Sequence, residues 1–167
     1  MGPRVLVAGI GNVFFGDDGF GVEVARRLAE QDLPEWVRIA DYGISGMHLA
    51  FDMLGGYGTT ILVDIAPRGH EPGTLSVLEL RDGDRTPDGP VSFDAHGMGP
   101  QAVLAMLDLL GGGAGRILVV GCEPADTGHR MGLSEPVRQA VEPAVRTITE
   151  LVRTEAAGTA QQAIRGT

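Results

Sequence analysis

The sequence predicts an α/β protein: one three-layer α/β/α domain built on a mainly parallel, twisted sheet of about five strands. Three observations lead there. Short apolar runs recur at "VLVA", "WVRIADYG", "TTILVDIA", "GTLSVLEL" and "RILVVGCEP". Between most of them lie stretches whose apolar residues follow a helical period. "TTILVDIA" is also almost wholly apolar and β-branched, as a central parallel strand covered on both faces must be. The 167 residues hold no repeat or linker, so one domain is expected over 1–155, with a frayed tail of small and polar residues over 156–167.

The elements follow in chain order. Val5–Ala8 reads as a buried strand, and Gly21 to Glu30 as a helix with Val22, Ala25, Leu28 and Ala29 on its apolar face. A second strand ends at Asp41. "SGMHLAFDML" is helical, with Ser45 in N-cap position and Met47, Ala50, Phe51 and Leu54 on the apolar side. "GGYG" closes it. After the third and fourth strands comes a polar loop, "RDGDRTPDGP", and then a helix from Gly99 to Leu110 carrying Val103, Leu104, Met106, Leu107 and Leu110. The last strand leads to a closing helix over 135–154 with Val137, Val141, Val145, Ile148 and Val152 on its inner stripe. Pro143 is expected to kink or restart it.

Composition excludes several classes of function. A net charge of −9 argues against nucleic-acid binding, which needs clustered cations. Every cationic side chain is Arg, so Schiff-base chemistry and a phosphate-binding lysine are excluded. The single cysteine, Cys122, permits no intrachain disulfide and no cysteine-cluster zinc site, and reads as a small core residue. No apolar run reaches the ~20 residues of a membrane span, and the N-terminus lacks signal-peptide character, so a cytoplasmic location is expected.

In sheets of this kind, sites collect at the carboxyl ends of the strands. The polar residues there are Asn12, Asp17, Asp18, Asp41, Asp64, Asp94, His96, Glu123 and Asp126. The stretch "GIGNVFFGDDGFG" suggests a phosphate site but breaks the dinucleotide fingerprint, because Phe14 stands where the third glycine belongs. Two carboxylates occupy the helix entrance where an anion would sit. One of them, with Asp17 the candidate, can cap the helix; capping does not need both. The serine nucleophile elbow is absent, since "GISG" has one spacer too few. Carboxylates and an imidazole from separate strand ends can instead hold a borderline divalent metal. Asp64, directly after "ILV", reads either as a turn residue or as a ligand. His96, between Ala95 and Gly97, is equally ambiguous alone. His48 is expected to be solvated, while His70 and His129 fall in loops.

Four blocks, in order along nearly the whole chain, resemble the nickel–iron hydrogenase maturation endopeptidases. They are "GIGNVFFGDDGFGVEV", "ILVDIAPRGHEPGTL", "DAHGMGPQAVL" and "VVGCEPADTGHRMGLSEPV". The block "DYGISGMHL" departs from the family pattern at Tyr42 and Ile44, which bears on the choice of partner. The resemblance implies an endopeptidase that removes a C-terminal extension from a hydrogenase large-subunit precursor after nickel insertion. It places the metal-recognising and catalytic roles on Asp18, Asp64 and His96, with nickel supplied by the substrate. It also implies no bound nucleic acid and no membrane partner. A non-catalytic nickel-sensing or delivery module using the same three ligands is the alternative.

Overall fold

The computed structural model describes residues 4–80, 100–113 and 115–165, with side chains described at all of these except 101 and 156–165. Five strands form one sheet: β1 (Val5–Ile10), β2 (Val37–Gly43), β3 (Thr59–Ile65), β4 (Leu75–Leu80) and β5 (Arg116–Cys122). Their order is β2-β1-β3-β5-β4. All neighbours run parallel except β4, which pairs antiparallel with β5 at the sheet edge. The expected three-layer, mainly parallel architecture is therefore observed.

Burial explains this order. β1 and β3 are buried along their whole length, and β5 is buried after Arg116. The edge strands β2 and β4 are only partly buried, and Val77 of β4 is exposed. α1 (Phe20–Ala29) and α4 (Glu135–Arg165) cover one face through Phe20, Val24, Leu28, Val137, Val141, Val145, Ile148 and Val152. α2 (Gly46–Met53) and α3 (Pro100–Leu109) cover the other through Leu49, Ala50, Met53, Val103, Leu104 and Leu107. Alternation along each central strand divides the core. Val5 and Val7 point to the first layer, whereas Leu6, Ala8 and Ile10 point to the second.

Several local expectations are corrected. On α2 the buried stripe is Leu49, Ala50 and Met53, while Met47 and Phe51 are 46% and 57% exposed. This segment is apolar on most sides, so periodicity does not fix its phase; packing on β1, β2 and α3 does. On α1, Val22 is half-buried and Ala29 exposed, because Phe20, Val24 and Leu28 define the inward line. β2 continues past Asp41 through a register shift opposite Gly9 and Ile10, which inserts the buried Tyr42. Ser45 does occupy the N-cap position of α2, but its side chain makes no capping bond. α4 passes through Pro143 without restarting. Its backbone is helical to Arg165, beyond the frayed boundary expected at 156; the Ala- and Gln-rich composition there suits a helix. The expected loop over 81–90 lies outside the described residues. No described helix is long and apolar enough to cross a membrane.

The glycines at the start of the chain fix how closely α1 meets the sheet. A Cβ on Gly21 would stand 2.1 Å from the Val63 carbonyl oxygen and 2.5 Å from that of Ile10. A Cβ on Gly9 would stand 2.3 Å from the Gly21 carbonyl oxygen. Backbone therefore lies on backbone where α1 begins, over the carboxyl ends of β1 and β3. Gly21→Ala is expected to cost about 1–3 kcal/mol, as overpacking at a rigid site does. Urea unfolding measures the loss; a variant as stable as the parent would contradict this close approach.

Candidate active site

Strand order places a crevice before any side chain is considered. From β1 the chain goes to β2 on one side and then returns to β3 on the other. The sheet therefore has a topological switch point between the carboxyl ends of β1 and β3, where doubly wound folds bind their ligands. Asp64 belongs to β3 at that end, next to Gly121 of β5 in register. Asp18 lies in a short 3-10 turn, Gly16–Gly19, inserted between β1 and α1.

Gly11 makes this turn possible. Its φ is +136°, and a Cβ there would lie 1.9 Å from the Asp18 carbonyl oxygen. The chain thus folds back over its own strand end at a residue that must lack a side chain. The Asn12 amide donates to Asp18 Oδ2 at 2.9 Å, and the Phe14 amide donates to Asn12 Oδ1 at 2.9 Å. Asp18 is half-buried, and this bond ties its carboxylate to the loop that follows β1. Asp64 is only 5% exposed, and its Oδ1 accepts the Ile65 amide at 2.8 Å. Asp64 thus lies at the carboxyl end of β3, and Asp18 in the turn that follows β1, the two strands that flank the switch point.

Asp17 does not cap its helix. The 3-10 turn and α1 both begin without a side-chain capping bond, and Asp17 points into the protein with no exposed surface. Its Oδ2 accepts the amides of Ala125 and Asp126, each at 2.8 Å, and the Ser134 hydroxyl at 2.8 Å. Its Oδ1 accepts the Ser134 amide at 2.7 Å. It therefore joins the loop after β5 to the start of α4. Burial acts to raise its pKa. The bonds from Ser134, Asp126 and Ala125 outweigh that, leaving the carboxyl below its ordinary value.

The remaining acids named from the sequence have local duties. Asp41 is exposed and accepts the Gly43 amide at 2.8 Å, shaping the turn before α2. Glu123 is buried and accepts the amides of Arg68 and Gly69 at 2.7 and 3.3 Å, which pins the loop after β3. Asp126 accepts the Gly128 amide and pairs with Arg130. His48 is exposed on α2, beside Asp52 at 3.5 Å, and His70 is exposed in its loop. His129 is exposed and its ring lies 4.7 Å from that of Phe15. Asp94 and His96 lie outside the described residues. Among the described residues no group of three or more His, Cys, Asp or Glu side chains is gathered as a metal site.

Sequence reasoning missed the roles of Asp17 and Glu123, both of which hold loops from a distance. A buried-strand sequence running directly into Glu123 was the available signal for the second. Cys122 is a core residue, as expected, and fully buried. Burial, with Asp17 and Glu123 nearby, pushes its thiol up to about 12. A thiol so placed is no nucleophile.

A mainly parallel α/β sheet with a switch point, and acids in the turn after β1 and at the end of β3, belongs to the class of crevice-bearing α/β proteins. Comparison with known proteins makes this specific. Residues 22–151 match the family model described as hydrogenase maturation protease. The chain is 34% identical over 155 residues to the hydrogenase expression/formation protein HupD of Rhizobium leguminosarum, covering 90% of this chain and 75% of that protein. It is 30% identical to the hydrogenase 2 maturation protease of Escherichia coli, covering 90% and 91% of the two chains. Among solved structures it superposes on the hydrogenase maturating endopeptidase HybD of E. coli with a TM-score of 0.74, at 26% identity over 90% and 93% of the chains. For the hydrogenase maturation protease HycI of Thermococcus kodakarensis the TM-score is 0.72, at 28% identity over 91% and 94%. The chain belongs to the hydrogenase maturation protease family and is a hydrolase of that kind.

Two outcomes follow from these environments. Because the folded pKa of Asp17 lies below its ordinary 3.8, its contribution to stability is complete above that pH and is lost as pH falls through the folded value. Stability measured by urea unfolding should therefore drop as pH falls below the ordinary carboxylate value of 3.8 in the parent and drop less in Asp17→Asn. Iodoacetamide should leave Cys122 unmodified in the folded protein, and Cys122→Ala should retain activity. Inactivation that tracks alkylation would contradict the buried, inert thiol.

Proposed function

We propose that this protein is the endopeptidase that removes the C-terminal extension of a nickel–iron hydrogenase large-subunit precursor once nickel has been inserted. The observation that supports the reading is that the turn after β1 and the end of β3, which flank the switch point, each carry an acid, Asp18 and Asp64, where a fold of this class would otherwise hold an anion. Membership of the maturation protease family supports the reaction class.

The nickel is cargo of the substrate. Asp18 and Asp64, joined by His96 from the segment before α3, would complete its coordination; carboxylate and imidazole suit a borderline divalent ion. An ion held there can polarise a scissile carbonyl or activate a water, so no side-chain nucleophile is required. The chain's own part is positional. The Asn12 amide orients Asp18, and the Ile65 amide orients Asp64. The close fit of a precursor lacking nickel would then give binding without reaction.

The experiment is mass spectrometry of a large-subunit precursor incubated with this protein, with and without nickel loaded. Loss of a C-terminal peptide only from the loaded precursor is the expected result. Asp18→Ala, Asp64→Ala and His96→Ala should each lower processing by at least about a hundredfold while remaining folded by circular dichroism. Tight binding without cleavage by the parent would favour a nickel-sensing or delivery module instead. Near-normal cleavage by any of the three variants would remove that residue from the site.

A further inference from the structure

We infer that Asp17 is a positioning residue for this reaction: it locks the loop between β5 and α4 to the acid-bearing turn and so sets where the Asp18 carboxylate stands. The inference rests on the reading of Asp18 as the substrate-facing acid.

The connection between turn and loop runs in both directions. Asp17 accepts four hydrogen bonds, from the amides of Ala125, Asp126 and Ser134 and from the Ser134 hydroxyl. In return its own amide donates to the Asp126 carbonyl at 2.8 Å, and the Gly16 amide donates to the Arg130 carbonyl at 2.8 Å. Phe15 bridges Arg130 as in a parallel ladder, and its ring lies against His129. Each of residues 15–17 is thus joined to the segment after β5, at Ala125, Asp126, His129, Arg130 and Ser134. Gly16 completes the seam. Its φ is +58°, and a Cβ there would meet the Asp126 carbonyl oxygen at 2.5 Å.

These bonds converge on the residue immediately before Asp18. In a 3-10 turn successive side chains diverge by about 120°, so a residue gripped on one side fixes its neighbour on another. Any rotation of the Asp17 backbone is passed to Asp18 through a single rigid peptide unit. Productive site geometry tolerates only about 0.5 Å of error. A general stabilising contact could have lain anywhere in the 3-10 turn or loop. This one grips the link that controls the acid.

The test separates positioning from stability. Asp17→Asn keeps the shape of the side chain but turns an amide donor toward amide donors, while Ser134→Ala removes one of the four bonds. Val152→Ala serves as the control, because it destabilises α4 on the sheet about 25 Å along the helix from its start. All variants are assayed on the nickel-loaded precursor under conditions where urea unfolding shows each fully folded. Amide hydrogen exchange is followed at Asn12, whose N–H reports the Asp18 carboxylate directly.

Asp17→Asn is expected to lower kcat by about a hundredfold with KM within about twofold, as a displacement near 1 Å does. It should also speed exchange at Asn12 more than at the β3 amides. Ser134→Ala should shift both readouts in the same direction by less, and it replaces Asp17→Asn if that variant does not fold. Val152→Ala should change neither beyond its effect on global stability. Parent-like kcat in folded Asp17→Asn would overturn the inference, as would a lower kcat with Asn12 exchange unchanged. If the parent itself does not cleave the precursor, the proposed function fails, and the Asn12 comparison between Asp17→Asn and Val152→Ala still decides whether Asp17 sets the position of Asp18.

Discussion

The contact on which the rest of the molecule depends is backbone against backbone where α1 begins. Gly9 and Gly21 face each other across a gap that admits no methyl group, and Gly21 lies directly on the carbonyls of Ile10 and Val63. Two consequences follow. α1 is pressed onto both central strands, so Phe20, Val24 and Leu28 reach the core shared with α4. The turn ahead of α1 is also forced to double back over the end of β1, which Gly11 permits at a positive φ. Phosphate-binding folds use the same glycine arrangement to bring a helix start close to an anion. Here the space is taken by the chain's own 3-10 turn and its two acids.

That exchange explains how two adjacent carboxylates come to have different environments. A 3-10 turn separates neighbouring side chains by about a third of a circle. Asp17 therefore enters the protein, while Asp18 is half-buried and accepts the Asn12 amide. Inside, Asp17 meets four donors, and a carboxylate so surrounded is cheaper to bury ionised than protonated. Three of the donors are backbone amides outside any strand or helix, in the loop after β5 and at Ser134 just ahead of α4, and the fourth is the Ser134 hydroxyl. A neutral or apolar residue in the same place would leave Ala125, Asp126 and Ser134 with unmet amides, each costing about 1–3 kcal/mol. Burial of one acid thus closes a loop, while the other is held by the Asn12 amide in the turn itself.

Legibility in the sequence follows from how local each cause is. β3 and β5 are plain because a strand covered on both faces must be apolar throughout, and the inner stripe of α4 is plain because five valines and isoleucines recur at helical spacing. α2 is read correctly as a helix but with the wrong face. Met47 and Phe51 are as apolar as Leu49 and Met53, and only the neighbours β1, β2 and α3 choose between them. The antiparallel setting of β4 is likewise not written in its residues, since direction is set by the crossover through α3 to β5. At the site, the residues alone leave Asp64 open between a turn residue and a ligand, and only the family resemblance singles out Asp18 and Asp64; the structure adds that Asp64 is a buried acid within an otherwise apolar strand. The role of Asp17 is not legible, because its partners lie more than a hundred residues further along the chain. Local pattern offers a helix cap, and long-range hydrogen bonding overrules it.

The net charge of −9 gives the same site a further physical meaning. A helix start carries a partial positive charge that, left open, attracts anions. Asp18 in the turn ahead of α1 sets a carboxylate near that start, and Asp64 adds another at the end of β3; Asp17 is engaged elsewhere, by Ala125, Asp126 and Ser134. Under the proposed function the crevice favours a cation where a nucleotide binder favours a phosphate, without any change in strand order. A hydrolase built this way needs no lysine and no exposed thiol. The chain has no Lys at all, and its one Cys is sealed in the core behind Asp17 and Glu123. What distinguishes this chain from a nucleotide binder of similar topology is therefore a short 3-10 turn of four residues, inserted where the glycines leave room for it.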